Sequence, residues 1–150
     1  MSIKPELMKK HLPAYKIEAP KLFKLLLFNY LYSNGDAHFK NFSLLETPMG
    51  DYRLSPAYDL LNTRLHIADK DFALDHGLLT PNKNKGKILH QFKTLGQLAG
   101  ISNQQIELAL KMITNGSEKA EILVKASYLN DKSKRNYWQS YQGKLKNLIA

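Results

Sequence analysis

Apolar residues crowd into one short run near the front of the chain. Between Pro20 and Tyr32 they occupy nearly every helical face: Leu22, Phe23, Leu25, Leu26, Leu27, Phe28, Tyr30 and Leu31. A proline suits the first turn of a helix, so the pattern predicts a helix over Pro20–Tyr32 that is buried on most sides. Lys21, Lys24 and Asn29 interrupt the run, and it is too short to cross a bilayer. Residues 1–20 are polar and carry Pro5, Pro13 and Pro20, which predicts an extended lead-in with at most one helical turn.

After the helix the pattern changes. Phe42 to Glu46 and Tyr52 to Leu54 flank Pro48-Met49-Gly50-Asp51, the arrangement of a short β-hairpin. The periodicity weakens from Asn62 to Pro81, and helical spacing resumes at Ile88 and runs to Gly100. Ser102-Asn103-Gln104-Gln105 forms a capping box. It opens a helix with Ile106, Ala109, Leu110 and Ile113 on one face, ended by Asn115-Gly116. Ser117 is the expected cap of a further helix carrying Ile122, Ala126 and Leu129. Asp131 is the expected cap of the last, with Trp138, Tyr141, Leu145 and Leu148 as its stripe. These elements predict a single α+β domain over residues 1–150, mainly α-helical. Residues 1–19 form the lead-in, 20–80 the polar motifs and 81–150 a basic helical part.

The motifs sit between the apolar segments. Ser33-Asn34-Gly35-Asp36-Ala37-His38-Phe39-Lys40-Asn41-Phe42-Ser43 puts an Asp and an Asn five residues apart. Leu54-Ser55-Pro56-Ala57-Tyr58-Asp59-Leu60-Leu61 adds a second Asp eighteen residues after that Asn. Phosphoryl transfer to a hydroxyl needs a carboxylate to orient the hydroxyl and take its proton, and oxygen ligands to hold Mg²⁺ against nucleotide phosphates. Asp36 can be that carboxylate, and Asn41 with Asp59 can be the metal pair. The hairpin would bring Asp59 back towards Asn41, with Pro56 and Leu60-Leu61 fixing its backbone. Asn34-Gly35 is also an ordinary turn signal, and an Asp and Asn at this spacing mean little alone. A turn, however, does not require His38, Lys40, Asn41 and a distant Pro-Ala-Tyr-Asp.

Both motifs, at this separation, resemble those of HipA-type serine/threonine kinases, the toxin halves of bacterial toxin–antitoxin modules. The resemblance implies the C-terminal lobe of a protein-kinase-like fold with a short β-hairpin at the catalytic loop. It implies ATP and Mg²⁺ as cofactors, Asp36 as the catalytic base, and Asn41 and Asp59 as metal and nucleotide ligands. Lys40 would neutralise charge on the transferred group, or pair with Asp36, and His38 would brace the loop. None of the eight glycines falls in a G-x-G pattern, and no strand lysine precedes the motif. The resemblance therefore covers the C-terminal lobe alone, and the expected partner is an N-terminal nucleotide lobe or a chain that supplies one. A split toxin, a truncated gene product and a fragment all fit. A HipB-like antitoxin and a protein substrate such as an aminoacyl-tRNA synthetase are further implied partners.

Charge adds an alternative. The net charge of +9 is lopsided: residues 81–150 hold twelve Lys and Arg against four Asp and Glu. That surplus suits a binding module contacting an antitoxin, or nucleic acid indirectly, although solvated helix faces explain it equally well. No helix-turn-helix or arginine-rich reader stands out. A phosphoesterase built on His38, His66, His76 and the aspartates at 69, 71 and 75 is a weaker reading, since no recognised ligand spacing fits. The chain has no cysteine and no signal-peptide pattern, so the expected location is the cytoplasm, away from membranes.

Overall fold

The computed structural model describes residues 9, 12–37, 41–63, 79 and 86–149. Helix α1 spans Tyr15–Leu31, a hairpin follows as β1 (Leu44–Glu46) and β2 (Tyr52–Leu54), and four helices close the chain: α2 (Ile88–Leu98), α3 (Asn103–Thr114), α4 (Ser117–Ala126) and α5 (Asp131–Ile149). The domain is mainly helical with a single two-stranded antiparallel sheet among the described residues.

Helix α1 is the axis of the fold and packs on α2, α3, α5 and β2. Its Phe23, Leu27, Tyr30 and Leu31 are buried together with Phe92 of α2, Ile106 and Leu110 of α3, and Tyr141 and Leu148 of α5. Phe92 receives the rings of Phe23 and Tyr30 edge-on, with centroids 6.2 and 5.6 Å away. Gly96 lets α2 come this close: a Cβ there would meet Ile106 at 2.6 Å.

The helix begins earlier than its proline suggests. Pro20 lies inside α1, whose first turn is tied by the Ile17 and Glu18 N–H groups donating to the Ala14 carbonyl at 2.8 and 3.0 Å. Proline here leaves unbonded only the carbonyl four residues back, on exposed Lys16. Water can satisfy that group, and so the end of the lead-in is helical.

The hairpin pairs Leu44 with Leu54, Leu45 with Arg53 and Glu46 with Tyr52. Its turn closes through Gly50 N–H donating to the Thr47 carbonyl at 2.9 Å, with Gly50 at φ +80°. That left-handed position is the reason for glycine there.

Three cap and face assignments differ from the sequence pattern. Asn130, not Asp131, caps α5, its Oδ1 accepting from Ser133 N–H at 2.9 Å; a short Asx side chain just before the first turn is the natural acceptor. Gly116 precedes α4 in a right-handed conformation, and Ser117 is already the first helical residue. The face of α4 turned inward is that of Ala120, whereas Ile122 is 59% exposed and Leu129 lies beyond the helix end. The α3 capping box is present, with reciprocal Ser102 and Gln105 hydrogen bonds. Among the described residues no helix is long and apolar enough to cross a membrane.

Candidate active site

The C-terminal end of α1 delivers the first motif. Ser33 takes a left-handed conformation (φ +59°), and Asn34, Gly35 and Ala37 are buried while Asp36 is exposed. The Asn34 backbone N–H donates to the Asn29 carbonyl at 2.9 Å, so the turn closes against the helix it leaves.

From that turn the Asn34 side chain reaches across to the second motif. Its amide donates to the Asp59 backbone carbonyl at 2.9 Å and to Asn29 Oδ1 at 3.3 Å. Thr63 and Asn62 lock the same edges: Thr63 N–H donates to the Ser33 carbonyl at 3.1 Å, Gly35 N–H donates to Thr63 Oγ1 at 3.0 Å, and Asn62 donates to the Tyr32 carbonyl at 3.0 Å. Asp59, like Ser33, is left-handed (φ +56°), and these two are the non-glycine residues with positive φ among those described. Backbone strain of this kind costs of the order of 1 kcal/mol or more and persists where surroundings over-determine it. Here both strained residues belong to one hydrogen-bonded unit.

Asn41 lies buried beneath this unit, and its side-chain amide meets the Asp59 carboxylate Oδ2. Two residues eighteen positions apart are thus in direct side-chain contact. The hairpin brings them together: Ser55 N–H extends it by donating to the Ser43 carbonyl at 2.8 Å, and the Ser43 and Tyr58 hydroxyls share a hydrogen bond of 2.6 Å. Glu18 of α1 anchors the returning strand by accepting from Leu54 N–H at 3.0 Å. The expected apolar lock is not what holds Asp59. Leu60 and Leu61 are 43% and 62% exposed, and polar contacts from Asn34 fix the backbone instead, because the segment has no core to enter.

A side-chain amide, through its oxygen, and a carboxylate are hard donors of the type Mg²⁺ accepts. In this arrangement the amide nitrogen faces the carboxylate, so joint ligation requires the Asn41 amide to turn its oxygen to the ion. Among the described residues no group of three or more His, Cys, Asp or Glu side chains converges as a metal site. The donor set therefore suits an ion that takes the rest of its shell from water and phosphate. His38 and Lys40 lie outside the described residues, as do His66, His76 and the aspartates at 69, 71 and 75. An apolar cavity of about 40 Å³ between α1 and α2 is lined by Tyr15, Ala19, Phe23, Leu26 and Leu95 among others, and no motif residue lines it.

The HipA-like C-terminal domain family matches residues 5–121. The chain belongs to that family. It is also 41% identical over 56 residues to the "Putative kinase Y4dM" of Sinorhizobium fredii, an overlap of 37% of this chain and 14% of the relative. The fold is that of HipA in the solved complex of HipA, HipB and operator DNA from the Shewanella oneidensis MR-1 toxin–antitoxin system. The TM-score is 0.65 at 21% identity, over 87% of this chain and 31% of that one. This HipA-like chain thus spans about a third or less of the length of the relatives it matches.

The sequence pattern singled out Asp36, Asn41 and Asp59. It passed over Ser33, Asn34, Asn62, Thr63 and Glu18, which hold them. Asn34 stood inside the quoted motif and read only as a turn former; its burial and its reach to Asp59 are tertiary facts with no local signal.

Proposed function

We propose that this HipA-like chain is the C-terminal catalytic lobe of a serine/threonine protein kinase, the toxin component of a toxin–antitoxin pair. It would transfer the γ-phosphate of ATP to a protein hydroxyl. The observation that carries the reading is the Asn41–Asp59 side-chain contact, tied through Asn34 to the turn that bears the exposed Asp36. Asp36 orients the substrate hydroxyl and accepts its proton. Asn41 and Asp59 hold the metal, with Asn34 fixing the backbone from which the Asp59 carboxylate projects. Bound Mg²⁺ with ATP supplies charge neutralisation at the phosphate oxygens. Lys40 adds a positive charge near the transferred group, and His38 braces the loop.

The hairpin and the segment after it expose apolar surface on both faces of the sheet: Leu45, Tyr52 and Tyr58 are each 42% exposed and Met49 is 92% exposed. Such a surface fits cover by an N-terminal nucleotide lobe, in the same polypeptide or a partner. A HipB-like antitoxin, and operator DNA held through it, are the partners that the solved HipA complex suggests. A cytoplasmic location follows from that role.

The test is radiolabelled phosphate transfer to a translation-protein substrate, with the nucleotide lobe supplied in trans. The isolated chain is expected to be nearly inactive. The reconstituted protein should transfer phosphate, and Asp36→Asn should abolish transfer while the circular dichroism spectrum stays unchanged. Robust transfer by the isolated chain, or equal transfer by Asp36→Asn, overturns the reading.

The second reading is a non-catalytic module that binds an antitoxin or DNA. Exposed Lys119, Lys125, Lys132, Arg135 and Lys146 on α4 and α5 favour it. Binding that collapses as salt rises, with no effect of Mg²⁺ and ATP, would select it.

A further inference from the structure

Helix α5 lies beyond the residues matched by the family, yet it makes specific polar contacts with the segment that launches the motif turn. The Ser33 hydroxyl shares a hydrogen bond of 3.1 Å with the Ser140 hydroxyl, 107 positions later. Ser33 is 1% exposed and left-handed, and its remaining polar groups are engaged too. Its N–H donates to the Tyr30 carbonyl at 3.2 Å, and its carbonyl accepts from Thr63.

The rings agree with this. Tyr141 stacks on Trp138 with centroids 5.0 Å apart and meets Tyr32 at 5.4 Å, and Tyr32 in turn stacks on Phe28 at 4.3 Å. Asn147 donates to the Tyr30 hydroxyl at 3.1 Å. Ser140, Tyr141 and Asn147 of α5 therefore bear on Tyr30, in the last turn of α1, and on the two residues that follow the helix.

We infer that α5 is a brace for the site and that Ser140 is a positioning residue: its hydroxyl holds Ser33 in the left-handed conformation from which Asn34, Gly35 and Asp36 are aimed. The inference rests on the kinase reading for the purpose of the brace, though not for its existence. A plain packing helix would be indifferent to a hydroxyl at this point. Burying the Ser33 hydroxyl is repaid by its bond to half-buried Ser140, and an alanine would pack as well in its place. A left-handed serine, by contrast, needs an external restraint that a glycine would not need.

That contrast supplies the test. Amide hydrogen exchange is measured on the full chain for wild type, Ser140→Ala, Ser33→Gly and the double variant, together with line broadening of the Asn41 side-chain amide by Mn²⁺ alone. Loss of one hydrogen bond of this kind should speed Gly35 exchange by about five- to tenfold in Ser140→Ala. Amides of α3 around Ile106 should move less than about twofold, as expected of a local opening. In the Ser33→Gly background the same Ser140→Ala change should have no further effect on Gly35. Mn²⁺ broadening at Asn41 should need a severalfold higher concentration in Ser140→Ala.

Unchanged Gly35 exchange overturns the brace. So does equal acceleration in both backgrounds, or acceleration of Gly35 and the α3 amides together. Faster Gly35 exchange with unaltered Mn²⁺ response overturns the claim that the brace serves the metal pair. Absence of Mn²⁺ broadening in the wild type sinks the kinase reading instead, and the exchange cycle still decides the brace.

Discussion

Replacing Glu18 probes how the returning strand, and with it Asp59, is held to the central helix. The carboxylate is buried (3% exposed) and serves two partners. Oε2 accepts from Leu54 N–H at 3.0 Å, and Oε1 pairs with Lys21 Nζ at 2.6 Å. A hydrogen bond to an ionised acceptor contributes about 1.5–3 kcal/mol. The Lys21 side chain is 53% exposed, so the ion pair adds only about 0–1 kcal/mol. Glu18→Ala should therefore cost about 2–3 kcal/mol, or roughly 4–12 °C in Tm for a chain of this size. Glu18→Gln keeps an oxygen for Leu54 N–H and should cost about half as much. Thermal and urea unfolding followed by circular dichroism give the totals, and exchange at the Leu54 amide locates the loss. A cost below about 0.5 kcal/mol for Glu18→Ala would refute the anchor. Equal costs for Ala and Gln would show that charge, not the acceptor for Leu54, matters.

Two further outcomes follow from buried polar groups. Asn34→Ala removes donors from the Asp59 carbonyl, which water can reach, and from buried Asn29, and should cost about 2 kcal/mol in urea unfolding. Burial pushes the Tyr141 hydroxyl up to about 12, with Tyr32 beside it reinforcing the shift. Its folded state holds the proton more tightly than the unfolded chain, so this stabilisation is complete below about pH 10 and is lost as pH rises towards 12. Its size is at most about 3 kcal/mol, and Tyr141→Phe should flatten that alkaline decline in pH-dependent unfolding.

Much of the architecture was legible because it is written in local periodicity. The apolar run before Ser33 could only be a buried helix, the Ser102–Gln105 box is a self-contained cap, and Pro-Met-Gly-Asp between short apolar segments specifies a tight turn. Errors arose where tertiary contact decides. Pro20 looked like a start, but proline also fits farther into a helix when the carbonyl it abandons faces water. The stripe Ile122–Ala126–Leu129 required a helix longer than α4. Lys144, unremarkable among basic residues, is 4% exposed with its ammonium 5.0 Å from the centre of the Tyr30 ring. No sequence window contains both members of that pair.

The site shows the same division at finer grain. Spacing singled out Asp36, Asn41 and Asp59 as candidates because phosphoryl transfer restricts which side chains could serve there. Their supports are serines, threonines and asparagines, which are common in any turn and acquire meaning only by burial. Within five residues the chain alternates these roles: Ser33, Asn34, Gly35 and Ala37 are buried and Asp36 is exposed. In the proposed reaction that alternation separates two kinds of sensitivity. Substituting a buried support loosens both fold and site, whereas Asp36 is exposed and its loss should remove the chemistry at a smaller cost to stability. A site assembled in this way can be recognised from the exposed residue and its spacing, but its precision resides in buried contacts between segments as far apart as Ser33 and Ser140.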